Sequence, residues 1–144
     1  MKNSMLLLAG AYLFSVAALA AGPEASGPQT CSLETLHGTM VYATTASNNG
    51  TQWSVSGQES YDGKGHMKYY ELLSYGGEPQ TYVGTATYTV TANCIATVTY
   101  DAGIAPWTYF LSADGEHYYW NNNQNTGVIG SGRADRVSRA LLVP

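Results

Sequence analysis

The sequence predicts an all-β protein, an eight-stranded antiparallel up-and-down barrel with its N-terminal segment plugging one end. Three observations predict it. Thr, Val, Tyr and Trp recur with period two, and no stretch from Ala21 onward sustains a 3.6-residue apolar period. Seven turn signals punctuate that stretch, which makes eight strands. Every connection is short, so consecutive strands are expected to be antiparallel neighbours. A meander of this length removes its exposed edges best by closing on itself, with a two-sheet sandwich as the rival arrangement.

The elements follow in order. Residues 1–20 read as a signal peptide. Lys2 supplies a positive start, Met5 to Ala20 is apolar, and Ala18-Leu19-Ala20 gives a small-x-small cleavage pattern. The run is too short and alanine-rich for a membrane span, so no stable membrane insertion is expected after cleavage. The expected location is secreted or periplasmic. Residues 21–30 gather Pro, Gly and Ser and read as a linker; residues 31–144 are left for a single barrel domain.

Ser32 to Leu36 is a possible helical turn at the plugged end. Strand one opens on Gly38-Thr39-Met40-Val41-Tyr42 and stops at the turn Ser47-Asn48-Asn49-Gly50. The later strands are separated by Asp62-Gly63-Lys64-Gly65, Gly76-Gly77-Glu78-Pro79, Ala92-Asn93-Cys94, Asp101-Ala102-Gly103, Asp114-Gly115 and Asn121 to Gly127. Asn-Gly and Asp-Gly supply the positive φ angles of tight hairpins.

Loop lengths fix the faces, because a slip of one residue turns a whole strand over. A two-residue loop at Asp114-Gly115 sets Leu111 opposite Tyr118 and Tyr109 opposite Trp120. Three loop residues around Asn93 set Val90 opposite Ala96 and Tyr88 opposite Val98. Five after Tyr61 set Val55 opposite Leu73, Trp53 opposite Tyr75 and Gly57 opposite Glu71. The even-numbered turns leave Cys31, Cys94, Arg133 and Arg136 at one end. Residues 47–50, 76–80, 101–106 and 121–127 are expected as the longer loops around a mouth at the other.

Cys31 and Cys94 are the chain's two cysteines, and in an exported protein they are expected as a disulfide, which the up-and-down topology permits. The formal net charge of −4, with one of the six basic residues in the signal, argues against nucleic acid or anionic membrane as partner. His37, His66 and His117 have no metal-ligand spacing, so no metal site is expected, and no cofactor motif is present. Asn49-Gly50-Thr51 matches an N-glycosylation acceptor.

Trp53, Tyr75, Tyr82, Tyr100, Trp107, Tyr109 and Trp120 fall on the inner face toward the mouth. They read either as the wall of a pocket for a small apolar or aromatic ligand or as a filled core. An outward platform for sugar, with Asn121 to Asn125 beside it, is a third possibility. Glu71 shares the inner phase with Met67, Tyr69, Leu73 and Tyr75. Opposite a glycine, it reads as a desolvated acid or base, with Glu59 and Tyr69 as companions, or as a structural acid tied to tyrosines.

The motifs Gly38 to Tyr42, Asp62 to Gly65, Thr87 to Val90 leading to Asn93-Cys94, Asp114-Gly115-Glu116 and Gly132-Arg133-Ala134 together resemble small exported bacterial barrels. These are related to calycins and to the allene oxide cyclase barrel. Met40 and Tyr42 stand where calycins commonly carry a first-strand tryptophan, and Arg133 or Arg136 stands for their late arginine. The resemblance implies a closed barrel that holds a small molecule or, in the cyclase relatives, steers a cyclisation within a shaped cavity. It carries no catalytic residue across. The sequence therefore offers a ligand-binding barrel, a cyclase or isomerase using Glu71, or a structural surface protein with a filled barrel.

Overall fold

A computed structural model describes residues 30–103, 105–121 and 127–143. The expected signal peptide and all of the linker but Thr30 lie outside them, as do Asn122 to Asn125 of the suggested sugar platform. A 3-10 turn, Leu33–Leu36, precedes eight strands: β1 Gly38–Asn48, β2 Thr51–Tyr61, β3 His66–Tyr75, β4 Glu78–Val90, β5 Ile95–Tyr100, β6 Trp107–Leu111, β7 His117–Asn121 and β8 Val128–Ser138. They form a closed barrel in sequence order. Every neighbouring pair is antiparallel, and β1 pairs with β8 to close it.

The expected registers are present. Val55 pairs with Leu73 and Gly57 with Glu71 across β2–β3. Tyr88 pairs with Val98 across β4–β5, and Tyr109 with Trp120 across β6–β7. The β6–β7 turn itself differs from the two-residue loop that Asp114-Gly115 suggests. Gly115 N–H donates to the Ser112 carbonyl at 2.9 Å, and only Gly115 takes a positive φ, so the loop is wider by one residue on each side. Equal widening of both arms leaves the pairing, and hence the faces, unchanged.

A second correction concerns the mouth. The expected loops 47–50 and 76–80 are tight two-residue turns. Asn48 pairs with Thr51 and Tyr75 with Glu78, and the residues between, Asn49-Gly50 and Gly76-Gly77, all adopt positive φ. The rim on this side is therefore made of strand rather than loop. β4 pairs with β5 only over Ala86–Val90, and Glu78 to Val83 stand beyond it as an exposed rim.

At the opposite end Cys31 and Cys94 form a disulfide. Leu36 from the 3-10 turn is buried in the barrel core beside Met40 and Tyr61. Of Arg133 and Arg136, Arg136 is the one held at this end. Its guanidinium donates to the carbonyls of His37, Thr35 (2.7 Å) and Gly115 (2.5 Å), tying the 3-10 turn to the β6–β7 hairpin. Arg133 lies outside, paired with Asp135 and 5.5 Å from the Tyr119 ring centre.

Outward-facing Thr39 and Ser60 are buried because the C-terminal segment crosses them. Thr39 Oγ1 donates to the Ala140 carbonyl at 2.7 Å, and Val143 N–H donates to Ser60 Oγ at 3.0 Å. Hydroxyls at these two β positions thus serve backbone groups that a strand ladder leaves unpaired.

Candidate functional site

The inward side chains divide the barrel into levels. Leu36, Met40, Tyr61, Met67, Tyr88 and Leu111 pack the disulfide end. Above them the interior is hollow. A cavity of about 690 Å³ runs to the mouth, and Trp53, Tyr75, Tyr82, Tyr100, Trp107, Tyr109 and Trp120 all line it. Tyr100, Tyr109 and Trp120 are buried, whereas Tyr75 and Tyr82 stand exposed at the rim. The Trp107 and Trp120 rings meet edge to face at 5.0 Å, and Tyr109 stacks on Tyr118 at 4.4 Å.

Trp120 fits because its partner on β8 is Gly132. A Cβ at Gly132 would lie 2.6 Å from the indole. Gly132→Ala is therefore expected to displace Trp120 and cost about 2 kcal/mol. Urea denaturation followed by tryptophan fluorescence checks both effects; a native spectrum and midpoint like those of the parent would contradict this packing.

Two carboxyls sit within the aromatic lining. Glu59, two residues before the end of β2, is 1% exposed. Its Oε2 accepts the hydroxyls of Tyr61 (2.6 Å) and Tyr118; its Oε1 accepts those of Tyr100 (2.8 Å) and Tyr109 (3.4 Å). Burial pushes the Glu59 carboxyl above its ordinary range, and the four phenol donors pull it back only partly. Burial and the charge of Glu59 likewise hold all four phenols well above their ordinary value, which keeps them protonated as donors.

Glu71 is higher in the cavity. Its Oε1 accepts the Tyr42 hydroxyl, the only hydrogen bond to this carboxyl among the described residues. The contact depends on Gly57, which lies between Tyr42 on β1 and Glu71 on β3. A Cβ there would sit 3.1 Å from the Tyr42 oxygen and 3.0 Å from Glu71 Cγ. Burial raises Glu71 to about 7, against the pull of the Tyr42 hydrogen bond, and the nearby Glu59 charge adds to the rise.

No family model, curated protein or solved structure matches the chain.

The expected companions of Glu71 are thus partly replaced. Glu59 is near enough to act on it by charge, but Tyr42, not Tyr69, makes the hydrogen bond. Tyr69 feels the Glu71 charge without bonding to it. The four-tyrosine cradle of Glu59 is absent from the sequence reading, although Gly57, Glu59 and Tyr61 share the inward phase of Trp53 and Val55.

A second depression, of about 730 Å³, lies on the outer wall over β1–β4 beside Ala43, Thr45, Ser56 and Leu72. It is wide open and its lining carries no ionisable group, so it offers little to orient a ligand. No group of metal-binding side chains occurs among the described residues.

Proposed function

We propose that this chain is an exported barrel that binds a small, partly apolar molecule in the aromatic-lined cavity. One observation carries the reading: ten aromatic side chains from seven strands line a hollow of about 690 Å³ that opens at one end. That volume lies within the roughly 300–1,000 Å³ of small-molecule sites. Phenol groups among the rings supply the few polar contacts that orient such a ligand. The hollow favours this reading over that of a filled structural barrel. The disulfide fits an oxidising compartment outside the cytoplasm. The closed barrel is compatible with the calycin-like resemblance.

Native mass spectrometry and tryptophan-fluorescence titration against lipids, polyketides and sugars test the proposal. At least one class is expected to bind, with Trp107→Ala weakening it roughly tenfold. If nothing binds up to about 1 mM, which is barely 4 kcal/mol of affinity, the reading fails.

The Glu71–Tyr42 pair supports a second reading, a cyclase or isomerase acting in the same cavity. A carboxyl titrating near neutrality inside a ring-lined site is suited to take and return a proton, with Tyr42 orienting it. Loss of turnover in Glu71→Gln on an identified substrate would favour this reading, and unchanged turnover would remove it.

A further inference from the structure

Resting on the cavity reading above, we infer that the ligand carries a protonated amine, held by Glu71 among the rings, and that carboxylate-bearing molecules are excluded. The inference begins from what the lining contains and lacks. It has two carboxyls, Glu59 and Glu71, and no lysine, arginine or histidine among the described residues. Residue 104 and residues 122–126, outside the described residues, contain no charged residue either.

An anionic ligand in this cavity would therefore leave water to meet two acids and no cation. Desolvating a charge without a partner is the costliest event in a binding site. Molecules that carry a carboxylate are excluded on this ground. A cation meets the opposite situation, since its own desolvation is offset by a carboxylate already out of bulk water.

The two acids are not equivalent. All four hydrogen bonds to Glu59 come from phenols of the barrel itself, and the carboxyl is almost wholly enclosed. It shapes the field but offers no free edge. Glu71 holds one phenol on Oε1, and its Oε2 accepts no hydrogen bond among the described residues. An ammonium group donates three hydrogen bonds from one point, so one to Glu71 leaves others for the hydroxyls of Tyr69 or Tyr82 on the same wall. Trp53, Trp107 and Trp120 supply aromatic rings near which a cation is favourable and beside which the apolar remainder of the ligand packs.

The groups facing Glu71 confine the pH response to it and its fellow acid. The titratable groups that share the cavity lining with it are Tyr42 from β1, Glu59 from β2, Tyr69 and Tyr75 from β3, Tyr82 from β4, Tyr100 from β5, Tyr109 from β6 and Tyr118 from β7; β8 contributes Val128. Deprotonation of Glu71, which titrates near 7, charges the site and strengthens its hold on an amine.

Calorimetric titration of the whole folded protein with 1-naphthylmethylamine, 1-naphthalenemethanol and 1-naphthoate tests the inference, because the three differ chiefly in charge. At pH 8 the amine is expected to bind at least about tenfold more tightly than the alcohol, with the acid weakest. At pH 5.5 the advantage of the amine shrinks, and in Glu71→Gln it is lost at both pH values. The comparison of pH values in the unsubstituted protein stands without the variant. Equal binding of amine and alcohol at pH 8 would overturn the amine inference and leave the cavity reading intact. A preference for the acid would overturn it as well. Binding of none of the three at about 1 mM, together with an empty wider panel, would remove both.

Discussion

Glu59→Ala is expected to remove about 3–5 kcal/mol of folding stability, because it leaves buried phenol donors unsatisfied at about 1–3 kcal/mol each. Domains of this size hold only about 5–15 kcal/mol in total, so the variant would be at the edge of folding. The reason is the arrangement of donors. Tyr61, Tyr100, Tyr109 and Tyr118 are all buried, and all four hydroxyls end on this carboxyl. Alanine orphans them at the floor of the cavity, where all four rings are buried. Tyr100 and Tyr109, whose oxygens are 2.9 Å apart, recover one bond between themselves; Tyr61 and Tyr118 recover none from that pair.

Glu59→Gln should fall between the two, because the amide keeps one acceptor oxygen and its NH₂ has phenol oxygens to meet. Urea denaturation of the three proteins gives the ordering. A loss below about 1 kcal/mol in Glu59→Ala would mean that the cradle is incidental. Equal losses in alanine and glutamine would mean that charge alone matters and the hydrogen bonds do not.

The cradle also shows where sequence reading stops. Alternation within a strand establishes which side chains share a face, and loop length carries that phase across a hairpin. Both are local, so Trp53 opposite Tyr75, Tyr109 opposite Trp120 and Glu71 opposite Gly57 were all legible. The partners of Glu59 come from β2, β5, β6 and β7, and they meet only when the sheet closes and the interior narrows. No periodicity reports a contact made through the middle of a barrel.

The Tyr42–Glu71 bond is an intermediate case. It runs along one row of the sheet, Tyr42 to Gly57 to Glu71, and that row follows from the two hairpin registers. What the sequence does not disclose is that a phenol from β1 reaches over the missing side chain of Gly57. The burial of Ser60 was illegible for another reason. Its phase is outward, and only the returning C-terminal segment covers it. The tight turns at the mouth were visible as Asn-Gly and Gly-Gly, yet their span was read too widely. As a result, the rim was expected in loops that are in fact strand.

The raised pKa of Glu71 gives the second large effect, and its sign is opposite to that of a salt-bridged carboxylate. In the unfolded chain Glu71 titrates near 4.5; in the barrel it titrates near 7. Between those values the folded state holds a proton that the unfolded state has released. Folding stability therefore falls as pH rises through this window, by about 3 kcal/mol for a shift of this size. The stability is fully present below the lower value and lost above the upper one. Glu59 is shifted in the same direction and adds to the slope. Asp62, Asp114 and Asp135 are shifted the other way. Burial is the largest single influence on Asp62, but the backbone donors of His66 and Lys64 together with the His66 side chain outweigh it and hold the group low; the Ser112 hydroxyl and the Glu116 backbone hold Asp114 low; Arg133 does so for Asp135. Their contributions are present above the ordinary aspartate range and lost as pH falls below it. The two sets together place the maximum near about pH 5. Thermal or urea unfolding at intervals from pH 4 to 8 should trace that dome. Glu71→Gln keeps an acceptor for Tyr42 but has no proton to lose, so it should flatten the upper limb and gain stability over the parent at pH 8. A parent protein most stable at pH 7 to 8, or a variant with the same slope as the parent, would show that Glu71 is solvated and that its side of the cavity is open to water rather than walled by rings.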